Sequence, residues 1–440
     1  MKSNNKTLIA FALVMLMLAV PLTAVAPSED SDAASVVPAG TNYAYLVTYS
    51  TVSDETQKQS QITGVYKDGD ISTKSSALTP VSHDESWVYS PGSWTWNDTT
   101  GLGPFNMFYA AISVGNNAAD KNAYSNTPGH IAHILKPSDL TKDIKDNAVT
   151  LANFNVMLVI PTIYWYSNGA GNLYISNTNT NSNLSTVNNL MKAYAHQVDD
   201  ATIYPYLAIG VYEASVDPTY GLMSKTGVNP TASKTLSGFR AEVEKANSFV
   251  TDGAGTYQMW NFYEWTLYKI ISQATMGNKN AQSVIGSGTS SGSVSSTAGS
   301  NSNDKGPYAS SGATTSGNTS YSKLYIENSW GSVWEFVDNT YVSGGKLKAG
   351  SGLTTGLYGT DSVLNSGISG ADYTGGDLSV PAASNTKITS HVLTSAAWDM
   401  PAAATGSGES EYASGDNMWS NNVGNRCLIV GGAWNNGASG

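Results

Sequence analysis

Residue types able to do chemistry are sparse in this chain and poorly grouped. His130-Ile131-Ala132-His133 sets two imidazoles three residues apart, half of a metal site at most, and no glutamate stands between them on a helix. With five histidines in the whole chain, a pair either satisfied by hydrogen bonds or exposed is the expected role. Gly288-Thr289-Ser290-Ser291-Gly292 has the letters of a nucleophile elbow. That elbow works only on a strained strand-to-helix turn, and these residues lie in a Gly/Ser/Thr/Asn tract. The single cysteine, Cys427, sits in an apolar run, where a thiol packs rather than reacts. The stretches SNSNDKG (300–306) and ASGDNMW (413–419) offer oxygen ligands of the kind calcium takes, without the spacing of a known loop. No catalytic residue, metal site or cofactor is assigned.

What remains is the chemistry of a binding surface. Tyr and Trp give large, rigid contact area at low entropic cost, while Ser, Asn and Gly add adaptable hydrogen bonds. The same side chains hold sugars by ring stacking and amide hydrogen bonds. Trp419, Asn421, Asn422, Trp434, Asn435 and Asn436 are the candidate ligand-binding residues, and the expected partner is a protein or a glycan.

Composition narrows the class further. Of 440 residues 40% are apolar and 10% aromatic, enough for real cores. Only 12% are charged, about half the usual share, so the surface is rich in hydroxyls and amides. A net charge of −11 with two arginines, Arg240 and Arg426, removes the basic footprint that nucleic acid requires. The N-terminus joins a short basic region to an apolar run from Leu8 to Val20, closed by Pro21, with Ala24 and Ala26 beyond. This pattern predicts a secretory signal peptide over 1–26, because a membrane span needs about 20 apolar residues and the run breaks sooner. No later stretch is apolar enough to span, so the mature chain is expected to be secreted or held at the cell surface. Sequons at Asn97, Asn183 and Asn318 are compatible with export.

The elements that must position these residues fall into two groups. Over 41–147, runs such as NYAYLVTYSTV, ITGVY, WVYSPGSWTW and FNMFYAAISV, separated by turn residues, predict a small β-rich domain. PSDLTKDIKDN (137–147) then predicts a short helix or linker. From 153 onward, Val156 to Ile160 reads as a strand buried on both faces, ended by Pro161. YPYLAIGVYEAS reads as a second core strand. Two helices follow. In SGFRAEVEKANSF, Phe239, Val243 and Ala246 form the apolar stripe, with Arg240 and Glu244 paired on the exposed side. In YQMWNFYEWTLYKIISQATMG the stripe runs from Met259 to Ala274, with Gly277 as the stop. A polar loop spans 286–322, and a second Gly/Ser-rich loop spans 343–384. Between them, YIENSWGSVWEFVDNTYV predicts a strand whose Trp330, Trp334 and Phe336 face the core while Val333, Glu335 and Val337 face away. Cys427 to Val430 is predicted as a buried strand, with Gly431 and Gly432 allowing close backbone approach before Trp434.

This order of elements resembles the domain shared by relatives of formylglycine-generating enzyme, the sulfatase-modifying factors, which carry a GNVWEW element followed by an RGGSW element. Here the first is Gly331-Ser332-Val333-Trp334-Glu335-Phe336, with Ser where the family has Asn and Phe where it has Trp; the second is Val430-Gly431-Gly432-Ala433-Trp434. Trp330, Gly331, Trp334, Glu335, Phe336, Gly431 and Gly432 are accordingly read as structural motif residues. The resemblance covers roughly 153–440 and implies an α+β, C-type-lectin-like domain, two helices packed on a mixed sheet. Within the family the likeness is closest to surface and phage-tail-type receptor-binding proteins, including the variable proteins of diversity-generating retroelements. In those, residues after GGSW form an exposed binding face. Members continue for several tens of residues to a closing strand, so the domain is expected to be incomplete at its C-terminus. The oxidases of the family use a cysteine pair downstream of GGSW, a feature this chain does not present. Glu213 and Glu335 fall on the inner strands of the resembled domain, as buried acceptors or as a carboxylate pair. A non-enzymatic binding protein used in adhesion is the expected function, with a formylglycine-generating oxidase and a structural envelope component as the alternatives.

Overall fold

The computed structural model describes residues 12–13, 16–19, 42–49, 62–67, 79–80, 105–115, 120–136, 139–196, 203–250, 256–277, 279, 323–329, 333–343, 346–349, 378–379, 383–393, 398–404, 417–420 and 426–431. The fold they form is α+β and rich in sheet. Its centre is a seven-stranded sheet in the order Thr256–Met259, Leu16–Ala19, Tyr206–Gly210, Phe154–Pro161, Phe108–Ser113, Ile131–Lys136 and Asp139–Asp143. All six pairings in it are antiparallel. Parallel strand pairing enters a different sheet, where Ala12–Leu13 lies beside Trp334 and Glu335.

Phe154–Pro161 sits near the middle of the central sheet because its apolar residues are continuous rather than alternating. Val156, Met157, Leu158, Val159 and Ile160 are all buried, as a strand covered on both faces requires. Tyr206–Gly210 behaves alike, with Leu207, Ala208 and Ile209 all buried. A second sheet runs Tyr164–Ser167, Asn172–Ser176, Ala44–Tyr49, Ile62–Lys67 and Thr79–Pro80.

These pairings cross the predicted division between 41–147 and 153–440. Ala44–Tyr49 pairs with Asn172–Ser176, Phe108–Ser113 pairs with Phe154–Pro161, and both early strands share one apolar core with the later ones. Asp139–Asp143, predicted as helix or linker, is the edge strand of the central sheet. Two-faced burial explains the miss: an apolar run such as FYAAIS needs cover on both sides, which a small separate domain would not supply. WVYSPGSWTW, the polar loop 286–322 and most of the predicted leader lie outside the described residues; within the predicted loop 343–384, Lys346–Ala349 and Leu378–Ser379 are instead strands, paired with each other, and the first also with Trp334–Ser343.

Helix α1 (Leu236–Asn247) opens on Thr235, whose side chain accepts from the Gly238 amide. It buries Phe239, Val243 and Ala246, as predicted, and Leu236 as well, but the predicted Arg240–Glu244 surface pair does not form. Arg240 is 1% exposed and grips Asp338 on the strand Trp334–Ser343, donating from Nε to Oδ2 at 3.2 Å and from Nη2 to Oδ1. The reason is legible in the spacing: Arg240 falls four residues after Leu236 and three before Val243, on the buried stripe. The α1 helix also packs against the hairpin Ala214–Asp217 and Gly221–Ser224, where Gly221 has φ +79 and any Cβ would lie 2.2 Å from the Glu242 carbonyl oxygen. Only glycine fits that approach.

Helix α2 (Phe262–Met276) begins later than predicted, because Thr256–Met259 pairs as a strand and Asn261 caps the helix. Asn261 accepts from the Tyr263 and Glu264 amides while Glu264 reaches back to the Asn261 amide, a reciprocal capping box. Gly277, in the left-handed region, ends it as predicted. Among the described residues no helix is long and apolar enough to cross a membrane.

Removing one partner of a buried ion pair leaves an uncompensated charge in a low-dielectric interior. Asp338→Ala is therefore expected to cost about 3–5 kcal/mol, read as a lower urea midpoint. Glu244→Ala, at an exposed position of the same helix, should stay within about 0.5 kcal/mol of the parent.

Candidate functional site

The two motif strands are neighbours. Trp334–Ser343 pairs antiparallel with Arg426–Val430, setting Glu335 opposite Val430, Phe336 opposite Ile429 and Val337 opposite Leu428. The predicted division of faces on the first strand is reversed in depth: Val333, Glu335 and Val337 are the most completely buried, Phe336 is buried and Trp334 only half-buried. Alternation fails as a guide because this strand is covered on both faces: Phe336 packs in the large core with Phe239 of α1, and Val337 packs in a second cluster with Phe262 and Tyr263 of α2. Cys427 to Val430 is half-buried rather than buried, and Gly431 beyond it is exposed at φ +80. Cys427 is not part of a disulfide.

Burying Glu335 brings it to an oxygen-rich cluster. Glu213 and Asn328 are 0% exposed and Glu335 is 1% exposed. Asn328 Nδ2 donates to Glu213 Oε2 at 3.0 Å, with Asn328 in the left-handed region at φ +52. Neither carboxyl oxygen of Glu335 makes a hydrogen bond, nor does Asn328 Oδ1. Burial first, and the charge of Glu213 second, push the Glu335 carboxyl well above the usual range. Burial and the Glu213 charge thus hold the Glu335 carboxyl toward its protonated form. Two carboxylates and one amide supply only part of the roughly six to eight oxygens that calcium takes. Among the described residues no group of three or more His, Cys, Asp or Glu is placed to hold a metal.

A second buried acid was not foreseen. Glu264 is 2% exposed and receives hydrogen bonds from the Asn261 amide and from Gln258 Nε2. Burial nevertheless outweighs those bonds and raises its carboxyl to about 8. The sequence signal was present as Asn261-x-x-Glu264, a capping box hidden inside an apolar stripe.

His133 is the buried member of the histidine pair. Its Nδ1 lies 3.3 Å from Asp143 Oδ2 and its Nε2 lies 3.0 Å from Asp120 Oδ2. Asp143 also accepts from the Lys145 and Asn147 amides and from Asn147 Nδ2. The arrangement pins the 120–147 connections to the sheet, the satisfied one of the two expected roles; His130 is not part of it.

Of the predicted contact residues, Trp419 lies on the strand Asn417–Ser420, which pairs with Ala383–Leu393. Its side chain, together with Asn421, Asn422, Trp434, Asn435 and Asn436, falls outside the described residues, as do Trp330, Gly331 and Gly432 of the motifs and the two oxygen-rich stretches 300–306 and 413–416. Arg426–Val430 separates Asn421 and Asn422 from Trp434, Asn435 and Asn436 along the chain. A five-residue strand spans about 13 Å between its end Cα atoms.

No family model, curated protein or solved structure matches this chain.

The two raised acids make a testable pH signature. An unfolded glutamate loses its proton near 4.5, while folded Glu264 keeps it to about 8. The folded state therefore binds the extra proton across that window, and its stability falls as pH rises through it. Glu264→Gln keeps the capping box and removes the titration. Its melting temperature relative to the parent should rise between pH 5 and pH 8, and Glu335→Gln should shift the same way. A constant difference across those two values would rule out the raised acids.

Proposed function

We propose that the chain is a secreted or cell-surface binding protein that recognises a protein or glycan without turning it over. In this reading the two motif strands belong to a C-type-lectin-like domain of the sulfatase-modifying-factor type. The observation that carries it is the pairing of Trp334–Ser343 with Arg426–Val430. In the resembled proteins the residues after the second motif form the binding face. Here the second motif begins at the end of the strand Arg426–Val430 and passes through an exposed glycine, Gly431, beside a first motif whose Val333, Glu335 and Phe336 are buried.

Burial of the motif residues supports a division of labour. A rigid scaffold lets attached polar residues bind with less ordering cost than a mobile one would demand. Asn421, Asn422, Asn435 and Asn436 offer both donors and acceptors, and Trp419 and Trp434 offer ring faces, the pair of features that suits sugars and protein loops alike. Acidic composition and the scarcity of arginine direct the surface away from nucleic acid.

The test is binding of the purified chain to an immobilised glycan panel and to intact cells. Saturable binding is expected, with Trp419→Ala combined with Asn421→Ala and Asn422→Ala weakening it roughly tenfold or more at an unchanged melting temperature. Conversion of a cysteine peptide to formylglycine by the same preparation would replace this reading with the oxidase one. Ordered self-assembly with no other partner would replace it with the structural one.

A further inference from the structure

One buried cluster serves none of the roles above. Lys279, just beyond the end of α2, and Asp399, on the strand Trp398–Ala404, meet in the interior with Lys279 Nζ 2.5 Å from Asp399 Oδ1. His391 Nδ1 lies 3.0 Å from the same oxygen. The side chains of Lys279, His391 and Asp399 are 1%, 6% and 9% exposed. Gln273 Nε2 donates to the other carboxyl oxygen, Oδ2, and Gln273 is itself fixed by the Tyr49 hydroxyl at 3.0 Å. Trp398, fully buried, packs edge-on to Tyr49 at 4.8 Å beside the cluster. Lys269 Nζ caps the Trp398 and Asp399 carbonyls at 3.0 and 3.2 Å.

We propose that Lys279 and Asp399 condense to an intramolecular amide, a covalent cross-link between the end of α2 and the strand Trp398–Ala404. The atoms are placed for it. Lys279 Nζ and His391 Nδ1 converge on one oxygen, Asp399 Oδ1, at 2.5 and 3.0 Å, which brings the amine nitrogen, a proton relay and the carboxyl to one point. An ammonium and a carboxylate held dry also carry a desolvation cost that a neutral amide does not.

The step balances without any oxidant or further reactant. Lys279 passes one proton to the Asp399 carboxylate, giving amine and acid, and the amine nitrogen attacks Cγ. Charge that develops on Oδ2 is met by the Gln273 N–H. His391 relays the second proton from nitrogen to Oδ1, the C–Oδ1 bond breaks, and Oδ1 leaves as water while Oδ2 remains as the amide oxygen. Burial, with the neighbouring Lys279 charge, holds His391 below its usual range and hence as the neutral imidazole a relay needs. Burial pushes Asp399 upward, but Lys279, His391 and Lys269 outweigh it and hold the carboxyl well below its usual range, so the starting state is an ion pair.

The cross-link would close the chain from Lys279 to Asp399 around the polar tract 286–322. A protein with one cysteine cannot close that loop by an internal disulfide. The inference is independent of what the surface binds.

Tryptic digestion of the purified full-length chain, read by mass spectrometry, tests it. A branched peptide joining 270–305 to 388–426 is expected, lighter than the sum of its parts by one water and uncut after Lys279. Separate linear peptides 270–279 and 388–426 at their sequence masses would overturn the proposal. Lys279→Arg keeps the charge but not the amine nucleophile, and should restore the missing water and lower the melting temperature. His391→Ala should slow cross-linking after synthesis. Should either variant fail to fold, the parent digest decides alone.

Discussion

Asp338 is the point on which the rest of the structure hangs. Its carboxylate takes both arms of Arg240 from α1, its amide donates to the Trp260 carbonyl at 2.9 Å, and it bridges Asn261, the cap of α2. Two residues back, the Phe336 carbonyl accepts from Trp260 Nε1 at 3.0 Å. One acidic residue on the Trp334–Ser343 strand thus fixes both helices and the edge strand Thr256–Met259 against the motif sheet. A hydrophobic contact would hold these pieces together but would not set their register; a bidentate guanidinium–carboxylate pair accepts one geometry.

That hub also shapes the chemistry around it. Burial first, and the Asp338 charge as a smaller contribution, raise the Glu264 carboxyl to about 8. A chain with only 12% charged residues nevertheless places Arg240, Asp338, Glu213, Glu335, Glu264, Lys279 and Asp399 in its interior. Arg240 pairs with Asp338 and Lys279 with Asp399, while burial holds Glu335 and Glu264 toward their protonated forms. Sparse surface charge and dense interior charge are consistent with one design. Specific positions inside are set by polar contacts, while the outside is left to neutral amides and hydroxyls.

Local patterns disclosed much of this and global ones little. The strand Val156 to Ile160, the Phe239, Val243 and Ala246 stripe, and Gly277 as a stop were all legible, because each depends on residues within a turn or two. The WGSVWEF and VGGAW elements were singled out by a resemblance and not by periodicity, and neither foretold that the strands Trp334–Ser343 and Arg426–Val430 pair. Faces of Trp334–Ser343 were misjudged because alternation presumes one wet side, and this strand has none. Arg240 was misassigned because a charged residue on a helix is ordinarily solvated; its partner lies 98 positions away, and only its place on the Leu236–Val243 stripe hinted otherwise. The clusters at Glu213 and Asp399 join residues more than a hundred positions apart, a distance at which spacing carries no information.

The apolar run near the N-terminus places two demands on the same residues. As a leader it would be removed; as Leu16–Ala19 it forms the strand between Tyr206–Gly210 and Thr256–Met259, antiparallel to both. Both uses follow from one property, since a short uncharged apolar segment inserts equally well into a translocation channel or a sheet buried on both faces. Taking it out leaves two sheet edges facing each other across one strand's width, about 10 Å. The backbone groups of Ala208 and Ile209 on one side, and of Tyr257 and Gln258 on the other, then lose their partners. Unpaired buried backbone groups cost about 1–3 kcal/mol each. A mature chain without this segment must therefore draw the two edges together or accept another strand. Because Asp338 and Trp260 anchor Thr256–Met259 at its far side, collapse would strain the hub described above, and strand replacement is the physically cheaper course.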